Sequence, residues 1–357
     1  MLYITLVVCF FASILLTPLV KKLAFKIGAT DKPNQRKVHS RIMPRLGGLA
    51  IFLSFLIGIL IINPSDELLG EYHLSIVIAG FIIILTGMLD DVKEISPKLK
   101  LSGQIAAAAV VVIYGGLKVE FINLPFGGII DFGYLSIPLT MIWIIGITNA
   151  INLIDGLDGL AGGVSTIALV AIAGMSFVTG TPYVAIMALI VAASTLGFLF
   201  YNFHPAKIFM GDTGALFLGY IISVLSLLGY KNITFVSLII PIIILGVPIS
   251  DTFFAIIRRL VNKQPLSAPD KSHLHHCLLK SGFTHRQTVL LIYFMAALFG
   301  LAAFIFSQAT VWGSIIVIIA LLITIELVVE SIGLIREDYK PLLKFLKGFK
   351  TVNVKNR

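Results

Sequence analysis

The chain has 357 residues, of which 58% are hydrophobic and 13% charged, with a formal net charge of +9 and a mean hydropathy of +1.01. Soluble domains carry roughly 25% charged residues, so this composition excludes an ordinary water-soluble enzyme and points to lipid as the solvent. The positive charge does not signal nucleic acid, because the basic residues lie in loops between apolar runs, as they do in the cytoplasmic flanks of membrane helices.

In chain order, apolar runs predict about eleven membrane helices over 2–20, 47–63, 75–90, 101–116, 136–151, 161–179, 183–200, 214–229, 234–256, 287–307 and 311–332. The expected fold class is therefore an all-α integral membrane protein, a polytopic bundle of about 11 transmembrane helices. The first run starts at Leu2 with no basic segment before it and ends at Lys21 and Lys22 without a small-residue cleavage pattern. It reads as a retained helix and not as a removed signal peptide. Of the 27 Lys and Arg, all but Lys118 and Lys231 fall in loops on one side of this arrangement. That asymmetry predicts a cytoplasmic basic side, with the N-terminus outside and the C-terminus inside the plasma membrane. Cys9 and Cys277 fall on opposite sides and form no disulfide framework. Residues 1–335 are expected to form one transmembrane domain, and 336–357 a basic amphipathic tail suited to an anionic leaflet.

The other polar groups sort to the same side. Asp31, Asp90, Asp91, Glu94, Asp155, Asp158, Asp212 and Asp270 lie there, with six of the seven histidines. Asp90 and Asp91 close the third span; adjacent carboxylates at a membrane edge repel, and a divalent cation, a shared proton or water would relieve them. Lys98, Lys100 and Gln104 follow at the start of the next helix, offering cations to phosphate oxygens or serving as flank charges. Asn152, Asp155 and Asp158 recur every third residue through Asn152-Leu-Ile-Asp-Gly-Leu-Asp-Gly159, so one helical turn would align them. Gly211 and Gly214 bracket Asp212 at a helix start, where it can cap the helix or bind a hard cation.

His273, His275 and His276 lie in a loop with Asp270 and Cys277, at spacings too tight for an ordinary structural zinc site. Contact with phosphate or sugar suits them better. Glu326 and Glu330 stand one turn apart in the last span; they are either functional acids or protonated groups bonded to a neighbouring helix.

Five motifs in this order resemble the polyprenyl-phosphate N-acetylhexosamine-1-phosphate transferases. They are Asp31-Lys-Pro-Asn-Gln-Arg-Lys-Val-His39, the Asp90-Asp91 pair, Asn152 to Gly159, Asn202 to Gly214, and His273 to His276. The His-Leu-His-His spacing is similar to the branch that uses UDP-GlcNAc, whereas the muramoyl-pentapeptide branch carries three consecutive histidines. The runs Ile208 to Gly214 and Ala268 to His273 look like those of Gram-positive wall teichoic acid initiators.

The resemblance implies transfer of GlcNAc-1-phosphate from UDP-GlcNAc to undecaprenyl phosphate, releasing UMP. It implies Mg²⁺ as cofactor, with Mn²⁺ as a substitute, and a second copy of the chain is a candidate partner. By position, Asp212 would hold the metal, and Asp90 and Asp91 would orient or deprotonate the lipid phosphate or join the metal shell. Asn152, Asp155, Asp158, Asn202 and Phe209 would line the nucleotide pocket. His273, His275 and His276 would meet diphosphate or sugar, and Lys98 and Lys100 the lipid phosphate. The alternatives are the muramoyl-pentapeptide reaction, an aspartate-rich prenyltransferase suggested by Asp90, Asp91 and Glu94, and an ion-coupled transporter suggested by Glu326 and Glu330.

Overall fold

A computed structural model describes residues 1–31, 42–62, 66–123, 128–229, 235–265, 272–334 and 340–344. The apolar runs fold as helices α1 (Leu2–Ile27), α2 (Gly47–Ile62), α3 (Asp66–Lys93), α4 (Pro97–Ala109), α5 (Ser136–Ile154), α6 (Leu160–Val178) and α7 (Pro182–Asn202). They continue with α8 (Gly211–Gly229), α9 (Phe235–Ile244), α10 (Gly246–Val261), the short α11 (Leu274–Lys280), α12 (His285–Gln308) and α13 (Val311–Ile332). Eight of these segments are long and apolar enough to cross a bilayer: α1, α3, α5 to α8, α12 and α13. The protein is thus an all-α, polytopic membrane protein. The expected Asp31 to His39 motif, apart from Asp31, and Asp270 lie outside the described residues, as does most of the 336–357 tail.

Three expected spans depart from the long straight form. Helix α2 has 16 residues, and α4 has 13 and runs on through a π-helical turn over Val110–Tyr114. The run 234–256, read as one span, is broken: α9 and α10 meet at 82°. Pro248 supplies the reason. Proline has no N–H to give the carbonyl of Ile244, and its ring crowds that carbonyl, so the ladder stops where α9 ends.

Helix α8 is the axis of the bundle, buried along almost its whole length, whereas α13 lies at the periphery. Close packing around the start of α8 depends on glycine. A Cβ on Gly48 of α2 would lie 2.0 Å from the Gly214 backbone, and one on Gly87 of α3 would lie 2.5 Å from Thr213 Cα. Without a water-driven hydrophobic effect between helices, such small-residue contacts let backbones approach and maximise dispersion. Backbone hydrogen bonds then tie the chain before α2 to the α7–α8 connection: Phe209 N–H donates to the Pro44 carbonyl (2.9 Å), and Gly47 N–H to the Phe209 carbonyl (3.0 Å). The ends of α3, α5 and α7, the first half of α10 and the starts of α4, α8, α11 and α12 carry the residues considered next.

Candidate active site

Asp90 and Asp91 are neighbours on α3, so their side chains leave the helix about 100° apart and meet different partners. Asp91 turns inward. Its Oδ1 accepts the Asp212 N–H (2.9 Å), and its Oδ2 accepts both the N–H (3.0 Å) and the hydroxyl (2.6 Å) of Thr213. These are orphan donors of the first turn of α8. Arg45 Nη2 stands 3.4 Å from Asp91 Oδ1 and its Nη1 3.8 Å from Asp31 and Glu94. Gly211 makes room for this: its φ is +71°, and a Cβ there would fall 2.4 Å from the Asp91 carboxylate.

Asp90 turns instead to Lys100 on α4. The Lys100 ammonium donates to Asp90 Oδ2 (3.1 Å), to Asn152 Oδ1 (3.3 Å) and to Asp212 Oδ2 (2.5 Å). Asn152 Nδ2 in turn donates to Asp212 Oδ1 (2.7 Å). Four segments distant in sequence therefore place two carboxylates and one amide oxygen around one cationic point. Lys98 is exposed on the first turn of α4. Gln104 and Asn149 exchange side-chain hydrogen bonds of 3.2 and 2.7 Å, joining α4 to α5 just behind it.

Asp155, the residue that caps the end of α5, lies within electrostatic reach of Asp212 and Asp91. Burial, followed by the nearby carboxylates of Asp212 and Asp91, pushes its carboxyl up to about 8. Asp158 meets a different set: its Oδ2 lies 2.8 Å from His204 Nδ1 and 3.1 Å from the Ala206 N–H. The His204 ring stacks on His285 at 4.1 Å. Among the described residues, Asp158, His204 and His285 are the one His/Cys/Asp/Glu group close enough to share a metal, within 4.8 Å. The near-parallel rings and the occupied carboxylate make it a latch between loops. Asn202, buried, spends its amide on backbone, accepting from Gly159 N–H (3.1 Å) and donating to the Ile208 carbonyl (3.0 Å). It shapes the loops around the cleft. Phe209 is half-buried on the strip that pairs with Arg45.

The histidines separate. His273 Nδ1 lies 3.0 Å from Asp251 Oδ2, and Leu274 N–H donates to Asp251 Oδ1 (2.8 Å). The His275 ring lies parallel to that of His273 at 6.1 Å and tilts against His276 at 4.2 Å. His275 abuts Gly156, where a Cβ would fall 2.2 Å from its Nε2, and burial pushes its imidazole down to about 3, leaving it neutral. The His cluster is thus brought against the Asp155 to Gly159 loop.

Two residues here escape a reading of motifs. Arg45 hides among the basic residues of a loop, and Asp251 hides inside the apolar run 234–256. The signal for Asp251 exists, since an acid within a predicted span is functional by default, and it belongs beside Glu326 and Glu330 on those grounds.

Glu330 is fully buried and accepts the backbone N–H groups of Leu342 (2.6 Å) and Leu343 (2.7 Å), holding the start of the tail.

Residues 73–230, which carry most of this constellation, match the family described as glycosyl transferase family 4. Over 350 residues the chain is 52% identical to a probable undecaprenyl-phosphate N-acetylglucosaminyl 1-phosphate transferase of Bacillus subtilis, covering 96% of this chain and 97% of that one. It is 34% identical to a decaprenyl-phosphate N-acetylglucosaminephosphotransferase of Mycolicibacterium smegmatis, covering 89% and 84%. An undecaprenyl-phosphate alpha-N-acetylglucosaminyl 1-phosphate transferase of Escherichia coli K12 is 31% identical, covering 78% and 76%. The chain belongs to glycosyl transferase family 4, in the company of these polyprenyl-phosphate N-acetylglucosamine-1-phosphate transferases.

Proposed function

We propose that the protein transfers GlcNAc-1-phosphate from UDP-GlcNAc to undecaprenyl phosphate, giving undecaprenyl-diphosphate-GlcNAc and UMP. The observation that carries the reading is the meeting of Asp90, Asn152 and Asp212 around Lys100, in a chain 52% identical over nearly its whole length to a relative of that name.

An oxygen of the lipid phosphate attacks the sugar-bearing phosphorus of UDP-GlcNAc; one P–O bond forms, the phosphoanhydride breaks, and UMP leaves with the electron pair. One phosphoanhydride replaces another, so catalysis rests on alignment and charge. The donor set fits Mg²⁺, being all oxygen, with two carboxylates and an amide converging on a point already held by a cation. Asp212, Asp90 and Asn152 would hold it. When bound, Mg²⁺ supplies Lewis-acid stabilisation of diphosphate oxygens. Lys100 holds the lipid phosphate, whose second pKa of about 6 leaves it largely dianionic at neutral pH, so positioning matters more than a base. Asp91 keeps the α8 start in place, and Asp155 and the His273 to His276 segment bound the nucleotide-sugar side.

The site is read as cytoplasmic, with the N-terminus outside, the C-terminus inside and eleven crossings. The Lys/Arg asymmetry supports this, as do the shorter apolar helix α2 and the bent α9–α10 pair beyond the eight long spans; α4 with its π turn would be the eleventh. The product would start wall teichoic acid linkage units, a reading supported by the Ile208 to Gly214 and Ala268 to His273 runs.

The test is UMP release from UDP-GlcNAc by purified protein, dependent on both Mg²⁺ and added undecaprenyl phosphate. Release of pyrophosphate, or turnover of UDP-MurNAc-pentapeptide at a comparable rate, overturns it.

A further inference from the structure

Asp251 is 3% exposed on α10 and His273 is 5% exposed just before α11. One carboxylate holds both the imidazole, through Nδ1, and the first backbone N–H of α11, through Leu274. Beside Asp251 the cavity wall is apolar, made of Phe254, Leu274, Met295 and Phe299. No water-rich surface competes for these hydrogen bonds, so they are strong and directional. Oδ1 of Asp251 accepts the Leu274 N–H, and an ionised carboxylate can only accept, so its pairing through Oδ2 places the proton on Nδ1 of His273. Nε2 is then the nitrogen left to meet a ligand.

The same clamp sets the direction of α11. His275 follows two residues later, its ring parallel to His273 and its edge against Gly156 of the Asp155 to Gly159 loop. Moving Asp251 would move the whole histidine segment relative to the nucleotide-sugar side of the cleft. The bend between α9 and α10 is what gives α10 a course separate from that of α9.

We infer that Asp251 is a positioning residue for the transfer reaction: it fixes His273 as the Nδ1–H tautomer and aims Nε2 at the anionic substrate groups. This rests on the proposed activity, but it has a readout that does not. In a carboxylate–imidazole pair of this kind the carboxylate sets the tautomer and orientation while the imidazole meets the substrate.

The test uses the full-length protein. Asp251→Asn keeps an oxygen for the Leu274 N–H but presents an NH₂ group to His273, so Nδ1 must become the acceptor and the ring proton must move to Nε2. Expected is a loss in kcat/KM of about 10- to 100-fold, the scale found when the carboxylate partners of metal-bound histidines are removed. In a His273→Ala background the same substitution should change kcat/KM by less than about twofold, because the residue it acts through is gone. Asp251→Glu, which restores a carboxylate, should recover part of the loss.

¹⁵N chemical shifts of the His273 ring read the tautomer directly, with or without turnover. A proton on Nδ1 in the wild type, displaced in Asp251→Asn, is the expected result. A wild-type His273 protonated on Nε2 alone, or losses that add in the double variant, would overturn the inference. Absence of UMP release by the wild type, with the ¹⁵N result as expected, would instead count against the parent reaction.

Discussion

The acids at the α3–α8 end and those at the α10–α13 end are both removed from water, yet they are neutralised differently. At the first end, Asp90 and Asp212 are held by a side-chain ammonium and an amide. Under the proposed reaction these partners would be exchanged for a metal or a phosphate when substrate arrives. At the second, Asp251 and Glu330 accept backbone N–H groups of α11 and of the tail, partners that cannot leave without local unfolding, and the other oxygen of Asp251 pairs with His273. The identity of the donor, more than depth of burial, separates acids that can meet a ligand directly from acids that hold the chain, and Asp251, bonded to both a backbone N–H and the His273 ring, positions that histidine from the second group. Asp91 is instructive because it sits at the first end and behaves like the second.

Asp212 is the acid whose loss should cost the most activity and little stability. Asp212→Asn leaves the α8 backbone donors on Asp91 and should not unfold the bundle, but it removes a carboxylate from the cationic point. UMP release should fall by at least about 10³-fold while the purified protein keeps its melting temperature to within a few degrees. Turnover near the wild-type rate would take Asp212 out of the metal site.

Asp91→Ala should show the opposite balance. It orphans two backbone N–H groups and one hydroxyl at the start of α8, each worth about 1–3 kcal/mol when left buried without a partner. The melting temperature should drop by roughly several degrees, with activity lost in step because α8 also carries Asp212. An Asp91→Ala protein of wild-type stability but without activity would make Asp91 a direct participant in the reaction.

Much of this division is invisible to a sequence. The order and chemistry of the motifs are legible, because carboxylates, glycines and histidines at a membrane edge are costly and so carry a message. The contrast between Asp90 and Asp91 is not, since adjacent residues of the same type differ only in which neighbour each one meets. Asn202 is recognisable as polar and costly, but whether its amide meets a nucleotide or the Gly159 and Ile208 backbone depends on how two loops close. The 234–256 run illustrates a different loss. Its hydropathy says one span, while Pro248 and Gly246 already mark the place where hydrogen bonding fails. The same apolar average hides Asp251.

Asp155 ties stability to pH. Its carboxyl lies at about 8 in the folded protein against about 3.9 in an unfolded chain. Between these values the folded state binds the extra proton, so this residue's contribution to stability declines as pH rises across that window and is lost above about 8. Asp155→Asn, which cannot ionise, should raise the melting temperature of the substrate-free protein at pH 9 by a few degrees and change it little near pH 4. An equal effect at both pH values would assign the change to packing.

The smallest effect on turnover belongs to Glu330. Glu330→Gln keeps the shape of the side chain but offers one acceptor oxygen where the carboxylate offers two to Leu342 and Leu343. The 340–344 segment should loosen, seen as faster amide hydrogen exchange at those two residues and easier proteolysis of the tail. UMP release should stay within about twofold of wild type, since a partner lost to backbone costs only local stability of about 1–3 kcal/mol. A carboxylate that carried ions or protons through the membrane would behave otherwise, because removing its charge would stop the cycle whether or not the tail stayed in place.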